Sequence, residues 1–346
     1  MARARRIGRL APTASGAGSP EVAASSLFGR GLPESPARVL VGASRPVSYS
    51  RIATRRRAIG LLRPAHVLHR KQSIITTDLE LRDTWLAPLA TERIDSNTFL
   101  SRANGRTRRR WGPELMAQSL VAAGRHAESQ QPLSLRALFV RPATWQDDLT
   151  LAIEPLSNGR RLKTRLVRAI QNGKPVFTCT VSFGEAPGVL NHSVAVPEAP
   201  LPESLSDWGE QLQEARPSAT RSKRTLWEMR SQGTTHEMLA AGEPPRRTTW
   251  ARPRAALPDD PLIHAAGILA VSDSALIHTV GLGYPGANLT SLDHAIWWHE
   301  PARFEDWLLY ASSSPIGRGG RALIEAAFYT REGRRIASVA QECFIP

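Results

Sequence analysis

Asp273 interrupts the apolar run Ala270-Val-Ser-Asp-Ser-Ala275, where a carboxylate is either a solvated helix-face charge or a functional acid or base. Ser291 opens Ser291-Leu-Asp-His294, and Gln341-Glu342 stands near the end of the chain. Each is either a solvent-facing polar group or part of a site capable of acid–base chemistry. Other chemistries find less support. No Gly-x-Ser-x-Gly elbow and no convincing Cys–His pair supplies a covalent nucleophile. His264, His294 and His299 are not at a metal-binding spacing and read as structural. Gly281-Leu-Gly283-Tyr-Pro-Gly286 matches the glycine pattern of dinucleotide-binding loops. That fingerprint needs a strand before it and a helix after it. Here a helix precedes and a strand follows, so dinucleotide binding is not expected.

The elements around these residues occur twice. Ser134-Leu-Arg-Ala-Leu-Phe-Val-Arg-Pro142 is echoed by Ser291-Leu-Asp-His-Ala-Ile-Trp-Trp-His-Glu-Pro301. The turns Asn172-Gly173-Lys174 and Glu332-Gly333-Arg334 lead into the closing runs Val176–Phe183 and Ile336–Phe344. The offset is about 160 residues, too long for a solenoid and right for a duplicated domain. The first copy reads as a strand at 93–101, an Arg-rich loop over Arg106–Arg110, and a helix opened by Gly112-Pro113 and closed near Gly124. Strands at 133–141, 147–156, 161–171 and 175–184 follow. The second copy opens with Thr225–Arg230 and Thr248–Pro253, and a helix starts at Asp259-Asp260-Pro261 with acids at its positive end. A glycine-rich loop over 279–288 leads to strands at 291–299, 305–312, 321–330 and 335–344. One long helix wrapped by an antiparallel sheet is the hot-dog arrangement. The expected fold is α+β, a tandem (double) hot dog with copies at 77–185 and 225–346, joined by a Pro-rich linker at 186–224.

Charge separates one segment from the rest. Residues 1–76 carry 14 Lys+Arg against Glu21 and Glu34, and the remaining 270 residues carry 31 basic and 29 acidic side chains. The folded part is nearly neutral, so nucleic acid is not an expected partner. Residues 1–76 read as disordered: an over-extended start, an Arg-rich transit peptide, or a tail for an anionic surface. Cytoplasmic localisation is expected, with organelle import the alternative. Cys179 and Cys343 lie in strand-like runs and read as small hydrophobes. No apolar run is expected to approach the ~20 residues of a transmembrane helix.

Several blocks together resemble the type II acyl-CoA thioesterases (TesB-like, double hot dog). They are Ala270-Val-Ser-Asp-Ser, Ser291-Leu-Asp-His-Ala-Ile-Trp-Trp-His, Asp306-Trp-Leu-Leu-Tyr310, Ala337-Ser-Val-Ala-Gln-Glu342 and Asn172-Gly-Lys-Pro-Val-Phe-Thr178. The resemblance covers roughly residues 79–346. It implies a catalytic trio of Asp273, Ser291 and Gln341 that activates one water against an acyl-CoA thioester, with Asp273 as general base. It also implies no cofactor, no metal and a homo-oligomer, dimer or tetramer. Where the family has Phe-Gly-Gly-Gln this chain has Trp111-Gly112-Pro113-Glu114, and the family's Gln-Glu-Gly is Gln341-Glu342-Cys343. The changed helix entrance leaves room for a binder of acyl-CoA that does not turn it over. A hot-dog enoyl-CoA hydratase is a further alternative, for which His264 is poorly placed.

Overall fold

The repeated strands meet at the centre of one sheet. In the computed structural model, which describes residues 77–129, 131–185, 190–209, 225–234, 236–281 and 289–345, β4 (Pro132–Phe139) pairs antiparallel with β12 (Asp293–Trp298). Leu135 faces Ile296 and Leu138 faces Asp293 across this seam. From β4 the sheet runs outward through β8 (Lys174–Gly184), β7 (Leu162–Gln171), β6 (Leu149–Asn158), β2 (Thr98–Ser101) and β1 (Glu92–Arg93). From β12 it runs through β15 (Arg335–Phe344), β14 (Arg321–Tyr329), β13 (Leu308–Arg318), β10 (Arg246–Pro253) and β9 (Trp227–Gly233). The short β11 (Thr290–Ser291) adds to β15. The two halves thus mirror each other in strand order, as a duplication joined at its repeated strand requires.

A short helix α1 (Asp78–Leu86) begins with a reciprocal cap, in which Thr77 N donates to Glu80 Oε2 at 2.7 Å and Glu80 N donates to Thr77 Oγ1 at 3.2 Å. The central helices are α2 (Gly112–Ala127) and, after the short α3 (His236–Ala240), α4 (Pro261–Gly281). In α4 every side chain from Leu262 to Asp273 is buried, because sheet covers one side and α2 the other. At 21 residues α4 is long and apolar enough to cross a membrane, contrary to the expectation that no run would reach that length. It is the mostly buried core helix of the second copy.

Four local expectations need correction. Gly124 does not end α2, which continues to Ala127 and stops at Glu128 in the left-handed conformation (φ 50°). Gly124 instead marks close helix contact: a Cβ there would lie 2.6 Å from the Leu262 side chain on α4. Arg106–Arg110 is a strand, β3, paired with β5 (Ala143–Trp145). It was expected as a loop, but Arg110 lies buried 3.8 Å over the Trp145 ring and donates to Ser101 Oγ at 2.8 Å. Burial lowers the Arg110 pKa to about 10, so it remains a cation at neutral pH. The stretch read as one strand at 93–101 is a hairpin, in which β1 pairs antiparallel with β2, Glu92 facing Leu100. Finally, the described part of the Pro-rich segment packs on the second copy. Ala199 and Leu205 cover Trp250, Trp307 and Leu309, and Trp250 Nε1 donates to Pro200 O at 2.8 Å. Residues 1–76, 210–224 and 282–288, which hold the basic segment, the rest of the expected linker and most of the glycine-rich loop, lie outside the described residues.

Candidate active site

Strict alternation in a strand would send Ser291 and His294, three residues apart, to opposite faces. The structure turns both inward. Ser291 pairs with Cys343 whereas Ala295 pairs with Ala340, so the register on β15 slips by one residue between them. Such a β-bulge inverts the facing of everything beyond it. It is held by Asp293, whose Oδ1 accepts from Glu342 N at 2.7 Å, and by Leu292 N, which donates to Glu342 O at 2.9 Å. Asp293 of the Ser-Leu-Asp-His stretch is thus engaged in shaping the backbone.

The three residues singled out in the sequence come together. Ser291 Oγ donates to Asp273 Oδ1 at 3.0 Å, and Gln341 Nε2 donates to Ser291 Oγ at 2.8 Å. Asp273 is 8% exposed and Gln341 1%. Burial is the main influence on Asp273 and pushes its pKa above the usual carboxylate value. The nearby His294 and hydrogen bonds from Ser291 and Gln341 offset part of that rise.

His294, expected to be structural, belongs to the same chain of bonds. Its Nδ1 lies 2.6 Å from Gln341 Oε1 and its Nε2 lies 2.9 Å from Ser272 Oγ. Burial pushes the His294 pKa down, with the Asp273 charge opposing, so the ring is neutral. A carboxamide oxygen can only accept, hence Nδ1 carries the proton and Nε2 accepts from Ser272. Ser272 Oγ is also 2.7 Å from Leu269 O and shares its single proton between the two acceptors. The order Ser272, His294, Gln341, Ser291, Asp273 fixes which way the Gln341 amide points. The sequence signal for His294 was present, since it lies in the Ser291-Leu-Asp-His stretch that carries the family resemblance, but its facing was not. The other two histidines have structural partners. His264 Nδ1 accepts from Phe304 N at 3.1 Å, and His299 Nε2 lies 2.7 Å from Ser338 Oγ.

The first copy supplies the opposite wall. Gly112, the first residue of α2, sits so close that a Cβ there would lie 3.2 Å from Asp273 Oδ2 and 2.9 Å from Phe139 Cε1. The first amides of a helix have no intrahelical acceptor and carry partial positive charge. Leu115 N is the first to bond back, to Trp111 O at 3.1 Å, and Trp111 N is taken by Glu114 Oε2 at 2.9 Å. The Gly112 amide, at the helix end beside Asp273, has no intrahelical acceptor. Pro113 has no N–H and suits this first turn. Glu114, the departure from Phe-Gly-Gly-Gln, is occupied: Arg108 pairs with both its oxygens at 3.0 and 2.6 Å, and Trp145 Nε1 donates to it at 3.2 Å. Above Asp273 in the core, the buried Tyr310 stacks on Phe328 at 4.3 Å, and burial with the Asp273 charge raises its pKa.

Sheet order, wrapped helices and the clasped carboxylate define a double hot dog with one polar site at the junction of its copies. The family described as acyl-CoA thioesterase C-terminal domain matches residues 196–345, and the acyl-CoA thioesterase N-terminal domain family matches residues 111–184. The solved acyl-CoA thioesterase II TesB2 from Mycobacterium marinum is 30% identical, over 76% of this chain and 98% of that one, with a TM-score of 0.64. Acyl-coenzyme A thioesterase 8 from Mus musculus is 29% identical over 68% of this chain and 80% of its own. Acyl-CoA thioesterase 2 from Haemophilus influenzae is 27% identical over 74% of this chain and 95% of its own. The chain belongs to the type II acyl-CoA thioesterase family.

Proposed function

We propose that this protein hydrolyses fatty acyl-CoA to a free fatty acid and coenzyme A. The observation that supports this best is the bond chain from Gln341 through Ser291 to Asp273 Oδ1, with Oδ2 left facing the start of α2. A thioester carbonyl is already electrophilic, because sulfur donates poorly into it, so a water activated by a base suffices. Asp273 Oδ2 takes the proton as the water oxygen bonds to the carbonyl carbon. The carbonyl electrons move onto oxygen, and the Gly112 amide at the start of α2 stabilises that charge. Collapse breaks the carbon–sulfur bond, and the departing thiolate takes the proton from Asp273. Ser291 and Gln341 orient the base and the water.

Thiol release from palmitoyl-CoA, followed with DTNB, tests the reading. One thiol per acid formed is expected, and Ser291→Ala retains partial activity, about tenfold lower, the value of one hydrogen bond to a charged group. Saturable palmitoyl-CoA binding without thiol release would favour a non-catalytic binder instead. The hydratase alternative is not favoured, because both ring nitrogens of His294 are engaged within the protein.

His294 acts here as a positioning residue. His294→Phe removes the donor that orients Gln341 and is expected to lower kcat about 10- to 100-fold with little change in KM. His294→Asn, whose amide can replace the Nδ1 proton, recovers part of the loss. Equal kcat losses in both variants would remove this role.

A further inference from the structure

The first turn of α2 carries a carboxylate where the reaction needs positive potential. Glu114 is the third residue of the helix whose first residue, Gly112, lies against Asp273 Oδ2. An acid there steadies the helix, because the free amides of the turn carry partial positive charge. It also caps the turn directly: its Oε2 accepts from Trp111 N at 2.9 Å and from Trp145 Nε1 at 3.2 Å. The same negative charge opposes the one that develops on the thioester oxygen beside the Gly112 amide. Left unneutralised within one helical turn of that oxygen, a unit charge would slow the reaction by a factor on the order of ten.

Arg108 of β3 removes this conflict. Its Nη1 donates to Glu114 Oε2 at 3.0 Å and its Nη2 to Oε1 at 2.6 Å, a planar fork on a planar carboxylate. The two side chains are 40% and 20% exposed, so solvent screens the pair only in part. The Arg108 guanidinium lies 5.4 Å from the Trp145 ring centroid, and Trp145 Nε1 holds the same carboxylate. Strands β3 and β5 and the start of α2 are thus tied together at Glu114. A second cation adds to the first. Arg110 is held by neutral acceptors, Ser101 Oγ and the Thr144 and Asp147 carbonyls. Burial lowers its pKa, and the Glu114 charge works against that fall, so the two groups sense each other.

We propose that Arg108 is a positioning residue of the thioester reaction: it neutralises Glu114, so that Glu114 holds the α2 entrance in shape without repelling the oxyanion at Gly112. The inference rests on the hydrolase reading above. A pair that served the fold alone would depend on the fork of Arg108, whereas this role depends on its charge.

The test is kcat and KM for palmitoyl-CoA, by thiol release, in the full-length protein and in Arg108→Met, Arg108→Lys, Glu114→Gln and the double variant of Arg108→Met with Glu114→Gln. Arg108→Met is expected to lower kcat about tenfold, with KM changed less than about twofold. Arg108→Lys, which keeps the charge and loses the fork, stays within about threefold of the parent. In the Glu114→Gln background, where no acid is left to neutralise, Arg108→Met costs less than about twofold. If Arg108→Met does not fold, Arg108→Gln, neutral but still able to donate to Glu114, takes its place in both backgrounds. The proposal is overturned if the neutral variant keeps the parental kcat, if Arg108→Lys loses as much as the neutral variant, or if the loss is the same in the Glu114→Gln background. A parent protein that releases no thiol takes down the hydrolase reading and this inference with it. An active parent with any of the three contrary outcomes takes down this inference alone.

Discussion

Asp273→Ala lowers kcat for palmitoyl-CoA hydrolysis by about 10²–10⁴-fold, the range a positioned general base contributes. The fold is retained, by circular dichroism, because the change removes a polar group from a core helix and leaves only a small cavity. The carboxylate also has a pH signature. Its pKa is raised in the folded protein, chiefly by burial. kcat/KM of the parent therefore falls on the acid side with a midpoint above the ordinary ~3.9 of an aspartate. The sign for stability is the reverse of that for activity. A folded pKa above the unfolded one favours the native state below the unfolded pKa, and that contribution is lost as pH rises through the folded pKa. Asp273→Asn, inert as a base, should accordingly gain melting temperature relative to the parent as pH rises through this range. Near-parental kcat in either variant would remove Asp273 from the mechanism.

Gly112→Val is expected to cost about 10²-fold in kcat, although Gly112 bears no reactive group and belongs to the copy without the catalytic carboxylate. The valine Cβ would meet Phe139 at 2.9 Å and Asp273 Oδ2 at 3.2 Å, and its methyl groups would fill the space in which the water and the thioester must meet. Gly112 opens a helix with no left-handed φ, so the effect is steric and local, and thermal melting should change less than activity. Gly112→Ala falls between. Full activity in the valine variant would place the reacting carbonyl elsewhere than at the start of α2.

Much of the scaffold was legible because it rests on local patterns. Strand and helix periodicities, turn glycines and the repeated Ser-Leu strand led to most elements within a few residues of those observed, the hairpin of β1 and β2 read as one strand being an exception. The errors came where tertiary contact overrode local preference. Gly124 resembled a helix stop but is a close-approach residue against Leu262, and the Arg-rich stretch became a strand because Trp145 covers Arg110. The length of α4 also exceeded its pattern, since a helix buried on every side carries no polar face to mark its course. Cys179 and Cys343 are buried free thiols, as their setting suggested, and burial pushes Cys179 up to about 12.

The amino-acid order by itself determined that the chain is a duplication, that each copy is one helix and a meander, and that of the candidate residues Asp273, Ser291 and Gln341 the first and last have no match in the first copy. Only the tertiary structure decided that these three touch, that His294 joins them, and that Gly112 of the other copy walls them in. The physical reason is parity. In an unbroken strand Ser291 would face away from His294, and the one-residue slip that reverses it depends on Asp293 bonding to Glu342, almost fifty residues further along. No local period encodes a hydrogen bond made across the sheet.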